Sequence, residues 1–235
     1  MNFPESLQQA FYLLWSLDAD LWQIIAVSLH SAIFALLLAT PIALICAYQL
    51  ASRRFFGRRF CIWLIQASLS FPTVLIGLLL YLLLSRQGYL GAWHWLFTGK
   101  ALIFGQALIA LPILIAFAFT AMQALDQRLA ETAICLGASP LRVMLTIFNE
   151  ARFALMAALM HAFGRVISEV GCAMMVGGNI AGETRTMTTA IALQTSKGEF
   201  AQGIALGMVL LAIALMMNAL LLFLQGDAGQ TGARL

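Results

Sequence analysis

Residues 101–125 read ALIFGQALIALPILIAFAFTAMQAL and contain no charged side chain. A helix needs about 20 mostly apolar residues to cross the roughly 30 Å hydrocarbon layer of a membrane, so this run is long enough for one crossing. Residues 21–52, 60–85 and 200–226 are equally free of charged side chains. The sequence therefore predicts an all-α polytopic membrane protein.

The composition of the whole chain agrees with this prediction. Of its 235 residues, 62% are hydrophobic and only 10% are charged, whereas a soluble domain carries about a quarter charged residues. The four cysteines lie far apart in apolar surroundings, which favours small buried side chains over disulfides or metal ligands. The chain has no phosphate-binding G-x-x-x-x-G-K-[ST] motif, so no cofactor is predicted in it and any nucleotide would be bound by another chain.

A further crossing is predicted over residues 153–176, whose only charged or histidine side chains are His161, Arg165 and Glu169. The five predicted spans are residues 21–50, 60–84, 101–125, 153–176 and 203–225. Prolines interrupt three of these spans, and each removes a backbone donor and is expected to bend its helix: Pro41, Pro72 and Pro112.

Arginine is concentrated in two loops between these spans. Residues 51–59 carry four arginines and residues 126–152 carry three, whereas the opposite side has four basic residues in all. The positive-inside rule places both loops in the cytoplasm, the N-terminus outside and the C-terminus inside. Residues 1–20 have an apolar face at helical spacing and are expected to lie as an amphipathic helix in the outer membrane interface, and residues 226–235 form a short cytoplasmic tail.

The 126–152 loop has the pattern of two short helices joined by a turn. Residues 131–136 suit a helix, Gly137 suits the left-handed residue that ends one, and Ser139-Pro140 suits the start of the next. Apolar side chains at positions 134, 136 and 141 need a covering. A partner protein is the favoured covering, and lipid headgroups are the alternative.

His161, Arg165 and Glu169 are spaced four residues apart and so share one face of the fourth span. A charge at membrane depth costs at least about 2.5–3.5 kcal/mol, so this stripe should face protein or water. Two interpretations remain open: Arg165 and Glu169 form a structural pair, or they line a path for a polar solute.

The outer segment 177–199 is rich in Gly, Thr and Asn. Backbone amides and hydroxyls of this kind can contact an oxyanion. Composition alone, however, favours a flexible loop.

Several stretches of the chain resemble the membrane subunits of ATP-binding-cassette importers. Glu131-Thr132-Ala133 with the following Gly137 is similar to the EAA motif and its glycine, which form the coupling helix that docks on the ATPase subunit in that family. The motif's second alanine is threonine here, and its final Ile-x-Leu-Pro is replaced by Ile-Phe-Asn-Glu at 147–150. Residues 71–88, 105–113 and 164–182 narrow the likeness to the molybdate/tungstate permeases, and residues 184–200, TRTMTTAIALQTSKGEF, are most similar to the tungstate branch.

The resemblance implies a type I importer permease domain over residues 21–225, with five transmembrane helices, in the cytoplasmic (inner) membrane of a bacterium or archaeon. It implies a coupling helix between the third and fourth spans, formed around Glu131, Thr132, Ala133, Gly137 and Ala138. Such a subunit is not itself an enzyme, because ATP and Mg²⁺ are held by the ATPase.

The resemblance also implies partners and a path. The partners are a second copy of the chain, two ATPase subunits, an oxyanion-binding protein and the lipid bilayer, with no nucleic acid. Arg165, Glu169 and Asn179 are the expected residues of the translocation path or its outer gate.

Tungstate import by alternating access is the function that this resemblance implies. Molybdate or sulfate is the alternative substrate, because these oxyanions share the charge and the tetrahedral shape of tungstate. An ion-driven secondary transporter is a second alternative, although such folds often contain inverted repeats and the five predicted spans show no such halves.

Overall fold

The computed structural model describes residues 3–16, 18–126 and 128–231, and within these ranges the ordered elements are α-helices and one short 3-10 helix, Gly91–Trp93. The all-α prediction is therefore confirmed for the described part of the chain. The helices are α1 Phe3–Trp15, α2 Ala19–Ser52, α3 Arg58–Ser68, α4 Thr73–Leu84, α5 Gly99–Gln123, α6 Arg128–Cys135, α7 Pro140–Glu150, α8 Arg152–Ile167, α9 Gly171–Gly177, α10 Met187–Lys197 and α11 Phe200–Thr231.

The centre of the fold is the pairing of α2 with α5. The inward face of α2 is a row of alanines at four-residue spacing, and small side chains let two helix backbones approach closely. These buried alanines are Ala35, Ala39, Ala43 and Ala47. The opposite face of α2 exposes large apolar side chains such as Phe34, Leu38 and Ile42, as expected for a surface in contact with lipid.

Among the described residues, three helices are long and apolar enough to cross a membrane unbroken, and the number rises to five if each of two bent helix pairs is one crossing. The unbroken segments are α2, α5 and the part of α11 over Phe200–Phe223. The bent pairs are α3 with α4, at 101°, and α7 with α8, at 71°. The predicted count of five crossings and the predicted orientation remain predictions.

Two of the predicted spans are not single helices in the structure. The 60–84 span breaks between α3 and α4, where Pro72 lacks an N–H and precedes the first residue of α4. The 153–176 span breaks between α8 and α9, where the Ser168 hydroxyl donates to the Gly164 and Arg165 carbonyls at 2.8 and 3.1 Å. Such side-chain bonds compete with the helical ladder. Pro41 and Pro112, by contrast, lie inside α2 and α5, which continue through them.

Both chain ends are helical where the structure describes them. α1 forms as expected, but it packs on α11 through the fully buried Ala10, while Trp15 is 91% exposed. The side chain that caps the start of α2 is Asp18, whose Oδ1 accepts from the Leu21 N–H at 3.0 Å. Of the predicted tail, residues 226–231 continue α11, and residues 232–235 lie outside the described residues.

Candidate functional sites

The segment α6–α7 has the local structure that its sequence predicts. α6 ends at Cys135, and Gly137 takes a left-handed φ of +79°, a conformation that costs other residues about 1–2 kcal/mol. The Ala138 N–H donates to the Ala133 carbonyl at 3.0 Å and the Gly137 N–H to the Ile134 carbonyl at 2.9 Å. These are the two bonds of a Schellman motif. They hold α6 against the start of α7 as one corner.

One side of this corner packs on the core and the other is open. Ala133 and Ala138 are half-buried and pack against the main apolar cluster, whereas Glu131 and Thr132 are exposed. Around them lie exposed apolar side chains: Ile134, Leu136 (82% exposed), Leu141 and Leu145. Exposed apolar side chains grouped on a surface mark an interaction site. All five residues predicted for coupling thus lie on this corner.

Arg165 and Glu169 form an ion pair at the end of α8. The Arg165 Nη1 donates to the Glu169 Oε2 at 2.7 Å, and the two side chains are 43% and 2% exposed. The structure therefore brings these two predicted residues together. The Arg165 side chain is therefore still partly accessible, whereas the Glu169 side chain is buried.

Glu169 also joins three helices at the α8–α9 break. Its Oε1 accepts from the Cys172 N–H at the start of α9, at 3.0 Å. Its backbone carbonyl accepts from the Thr188 hydroxyl of α10 at 2.6 Å. Cys172 in turn packs where Gly77 of α4 and Gly105 of α5 leave room, since a Cβ added at these glycines would lie 2.7 and 2.9 Å from its atoms. Glu169 thus fixes the positions of α9 and α10 relative to α8.

Part of the outer segment 177–199 is hydrogen-bonded and buried and does not form an open loop: Thr184 and residues 186–189 are buried, whereas residues 180–183 are exposed. Thr184 Oγ1 donates to the Gly177 carbonyl at 2.5 Å and accepts from the Ile180 N–H at 3.0 Å. Thr186 and Thr189 cap α10 reciprocally, and the Met187 N–H donates to the Ser28 hydroxyl of α2 at 2.7 Å. Each threonine hydroxyl at positions 184, 186, 188 and 189 has a protein partner.

Asn179 belongs to this outer segment and not to the Arg165–Glu169 pair. It adopts a left-handed φ of +53°, and its Oδ1 accepts from the Arg185 Nε at 3.3 Å. Sequence reasoning missed the residues that anchor the segment, namely Ser28, Thr184, Arg185 and Thr188. The close spacing of threonines over 184–189 was the available signal, although Ser28 lies 159 residues from its partner and offered none.

The exposed face of α8 carries polar groups on an otherwise apolar helix. His161, Arg165 and Ser168 are exposed there, and a Cβ added at Gly164 would meet nothing within 4 Å. A groove of about 210 Å³ runs between this face and α11, where Asn218 adds another polar group. Polar groups at membrane depth are expected to face protein or water.

Comparison with known proteins identifies similar sequences over most of the chain. The family described as "binding-protein-dependent transport system inner membrane component" matches residues 39–226. The tungstate uptake system permease protein TupB of Campylobacter jejuni is 43% identical over 214 residues, which cover 91% of this chain and 90% of that protein. A probable anion ABC transporter permease of Haloferax volcanii is 40% identical over 202 residues, covering 84% and 87% of the two chains.

A more distant relative and a solved structure extend the comparison. The molybdenum transport system permease protein ModB of Haemophilus influenzae is 31% identical over 175 residues, covering 71% of this chain and 76% of that protein. A chain of the inward-facing MetNI methionine ABC transporter superposes with a TM-score of 0.65 at 14% identity, covering 95% of this chain and 99% of that chain. The fold is thus the one found in that importer.

Proposed function

The chain belongs to the family of binding-protein-dependent transport system inner membrane components, and from this membership we propose that it is the permease subunit of an ATP-driven tungstate importer. The proposal of tungstate as the substrate rests on the 43% identity to a tungstate permease over nine-tenths of both chains. The molybdenum permease match is weaker, at 31% identity over a shorter segment. Molybdate and sulfate therefore remain the alternative substrates, and an ion-driven transporter is not favoured.

An ATPase subunit is the proposed partner of the α6–α7 corner. Its support is the exposed surface around Glu131, Thr132 and Leu136, which the described part of the chain leaves uncovered. The Schellman turn at Gly137 gives this corner a fixed shape. A displacement of α6 by the ATPase would therefore move α7 as well, and the connection between them would not deform. ATP and Mg²⁺ would be bound by that partner, and an oxyanion-binding protein would deliver the substrate outside.

A second copy of the chain is the proposed covering of the α8 face. The polar stripe of His161, Arg165 and Ser168, with the open space at Gly164, is what supports this step. Two such faces meeting across a two-fold axis would enclose a polar path. In that path Arg165 would meet the oxyanion, because its guanidinium is only partly used by Glu169. Glu169 and Asn179 would stabilise the outer end of this path, its gate, because both make hydrogen bonds within the protein.

The mechanism would be alternating access. Closure of the ATPase pair would displace the α6–α7 corner and rotate the attached helices, opening the path outward, and hydrolysis would restore the inward state.

Uptake of labelled tungstate tests the substrate. Cells that lack this gene would be compared with cells in which it is restored, with unlabelled molybdate and sulfate as competitors. Gene-dependent uptake that resists a hundredfold excess of molybdate supports tungstate. Equal competition by molybdate would assign both oxyanions, and uptake that does not depend on the gene would refute the proposal.

A further inference from the structure

Residues 53–63 form an exposed surface that combines positive charge with aromatic side chains. Arg53, Arg54 and Arg59 are exposed, as are four large aromatic side chains, of which Phe55 is the least exposed at 45%. The three that are more exposed are Phe56, Phe60 and Trp63, and Phe56 is fully exposed. The three arginines and these three aromatic residues are called the cationic–aromatic surface below.

This surface lies where a membrane helix meets water. It begins directly after α2, a 34-residue apolar helix that ends at Ser52. α3 then packs inward through Ile62 and Ile65, which contact the core. The opposite side of α3 carries Phe60 and Trp63, whose rings stack with centroids 5.8 Å apart. α3 is therefore amphipathic, begins with arginine and is bent by 101° from α4.

The charges of this surface are only partly opposed by acidic groups: Arg54 lines a cavity of about 630 Å³ together with Asp126 and Glu131, whereas Arg53 and Arg59 do not line it. Within the described residues, Arg53, Arg54 and Arg59 form no ion pair, and the sequence has no Asp or Glu between positions 21 and 125. Arg58 differs from them, since its Nε donates to the Leu50 carbonyl at 2.7 Å and its guanidinium lies 5.6 Å from the centre of the Phe119 ring. Arg58 therefore fixes the loop, whereas the other three arginines are exposed and form no ion pair among the described residues.

We propose that the cationic–aromatic surface binds the headgroups of anionic phospholipids at the arginine-rich side of the membrane. Arginines beside a membrane helix attract anionic headgroups, and Trp and Phe at the same level enter the interface below them. A helix with an arginine-bearing start and an exposed aromatic side has the pattern of an interfacial helix. An acidic protein surface would match the charges, but it would not account for the exposed aromatic rings.

Native mass spectrometry of the permease purified with its partner subunits tests this proposal. The complex would be equilibrated with equal amounts of phosphatidylglycerol and phosphatidylcholine of the same acyl chains. The test variant is R53Q/R54Q/R59Q, and the control is R86Q/K100Q, which removes two exposed cations elsewhere. Each arginine near a charged membrane surface accounts for about a fivefold preference, so the triple variant should lose at least fivefold in selective retention of phosphatidylglycerol. The control should retain the wild-type preference.

Other outcomes overturn the proposal. Unchanged phosphatidylglycerol retention in the triple variant would show that lipid headgroups do not bind here. Loss of the ATPase subunit with unchanged lipid retention would assign the surface to a protein contact. Displacement of the lipid by millimolar inorganic phosphate would indicate an isolated phosphate site.

A second measurement does not depend on the stability of the triple variant. Brominated phosphatidylglycerol in vesicles should quench tryptophan fluorescence more in the wild type than in Trp63→Phe. Equal quenching of the two proteins would show that the aromatic side of α3 does not enter the membrane.

Discussion

Replacement of Glu169 by alanine is predicted to weaken the fold at the α8–α9 break. The change removes the acceptor of the buried Cys172 N–H, which costs about 1–3 kcal/mol when a buried donor is left without a partner. It also removes the ion pair with Arg165, but this arginine is 43% exposed, so solvent screening limits that loss to about 1 kcal/mol or less. Together these terms predict a loss of about 2–3 kcal/mol.

The loss can be measured as a change in melting temperature. For a chain of this size, about 2–4 °C is expected per kcal/mol, so Glu169→Ala should unfold about 4–12 °C below the wild type. Size-exclusion of the detergent-purified complex after heating gives the midpoint. Glu199→Ala is the matched control, because Glu199 is an exposed carboxylate beside α11 and its loss should change the midpoint by less than 1–2 °C, as is usual for a surface substitution of about 0.5 kcal/mol.

Glu169→Gln separates the hydrogen bond from the charge. The glutamine Oε1 can still accept from the Cys172 N–H, so this variant should lie between the wild type and Glu169→Ala. The reasoning is refuted if Glu169→Ala unfolds at the wild-type temperature, or if Glu169→Gln is the less stable of the two.

Three further predictions concern other contacts. Gly137→Ala should lower recovery of the ATPase with the permease severalfold, because alanine disfavours a φ of +79°. Gly207→Ala is the control, because this helical glycine has open space around it; equal recovery of the ATPase with the two variants would contradict the prediction. Gly171→Ala should lower the folded yield severalfold, because a Cβ there would overlap the Val74 side chain; a normal yield in size-exclusion would contradict it. Thr188→Val should lower the melting temperature by about 4–8 °C, since it removes two buried hydrogen bonds of about 1 kcal/mol each, to the Glu169 carbonyl and to the Thr186 hydroxyl; an unchanged midpoint would contradict it.

Local signals in the sequence predicted the α6–α7 corner correctly. A glycine after an apolar helical run and a serine-proline pair two residues later are sufficient to place both helix ends, because the restrictions on φ act on single residues. Ser139 is the N-cap residue of α7, although its side chain makes no capping hydrogen bond.

The break in the 153–176 span was not predictable from hydropathy. Charge-free length measures whether a segment can enter lipid, and it does not register a serine that bonds back to its own helix or a glutamate that caps the next one. The burial of Thr184 and residues 186–189 was missed for a related reason. Gly, Thr and Asn occur both in mobile loops and in tightly hydrogen-bonded ones, and tertiary partners such as Ser28 and the Glu169 carbonyl distinguish them here.

The α6–α7 corner and the Arg165–Glu169 pair at the end of α8 lie on one stretch of chain, and few bends separate them. The corner at Gly137 leads into α7, and α7 meets α8 at Ala151 with a 71° bend. α8 then ends beside Arg165, where Glu169 holds α9 and α10, and α10 is anchored to α2 through Ser28. Under the proposed function, a displacement of α6 by an ATPase would therefore turn α8 as a lever against an outer segment that α2 holds in place. The ion pair at the end of α8 lies where these two parts meet, so its contacts would bear the strain of each transport cycle.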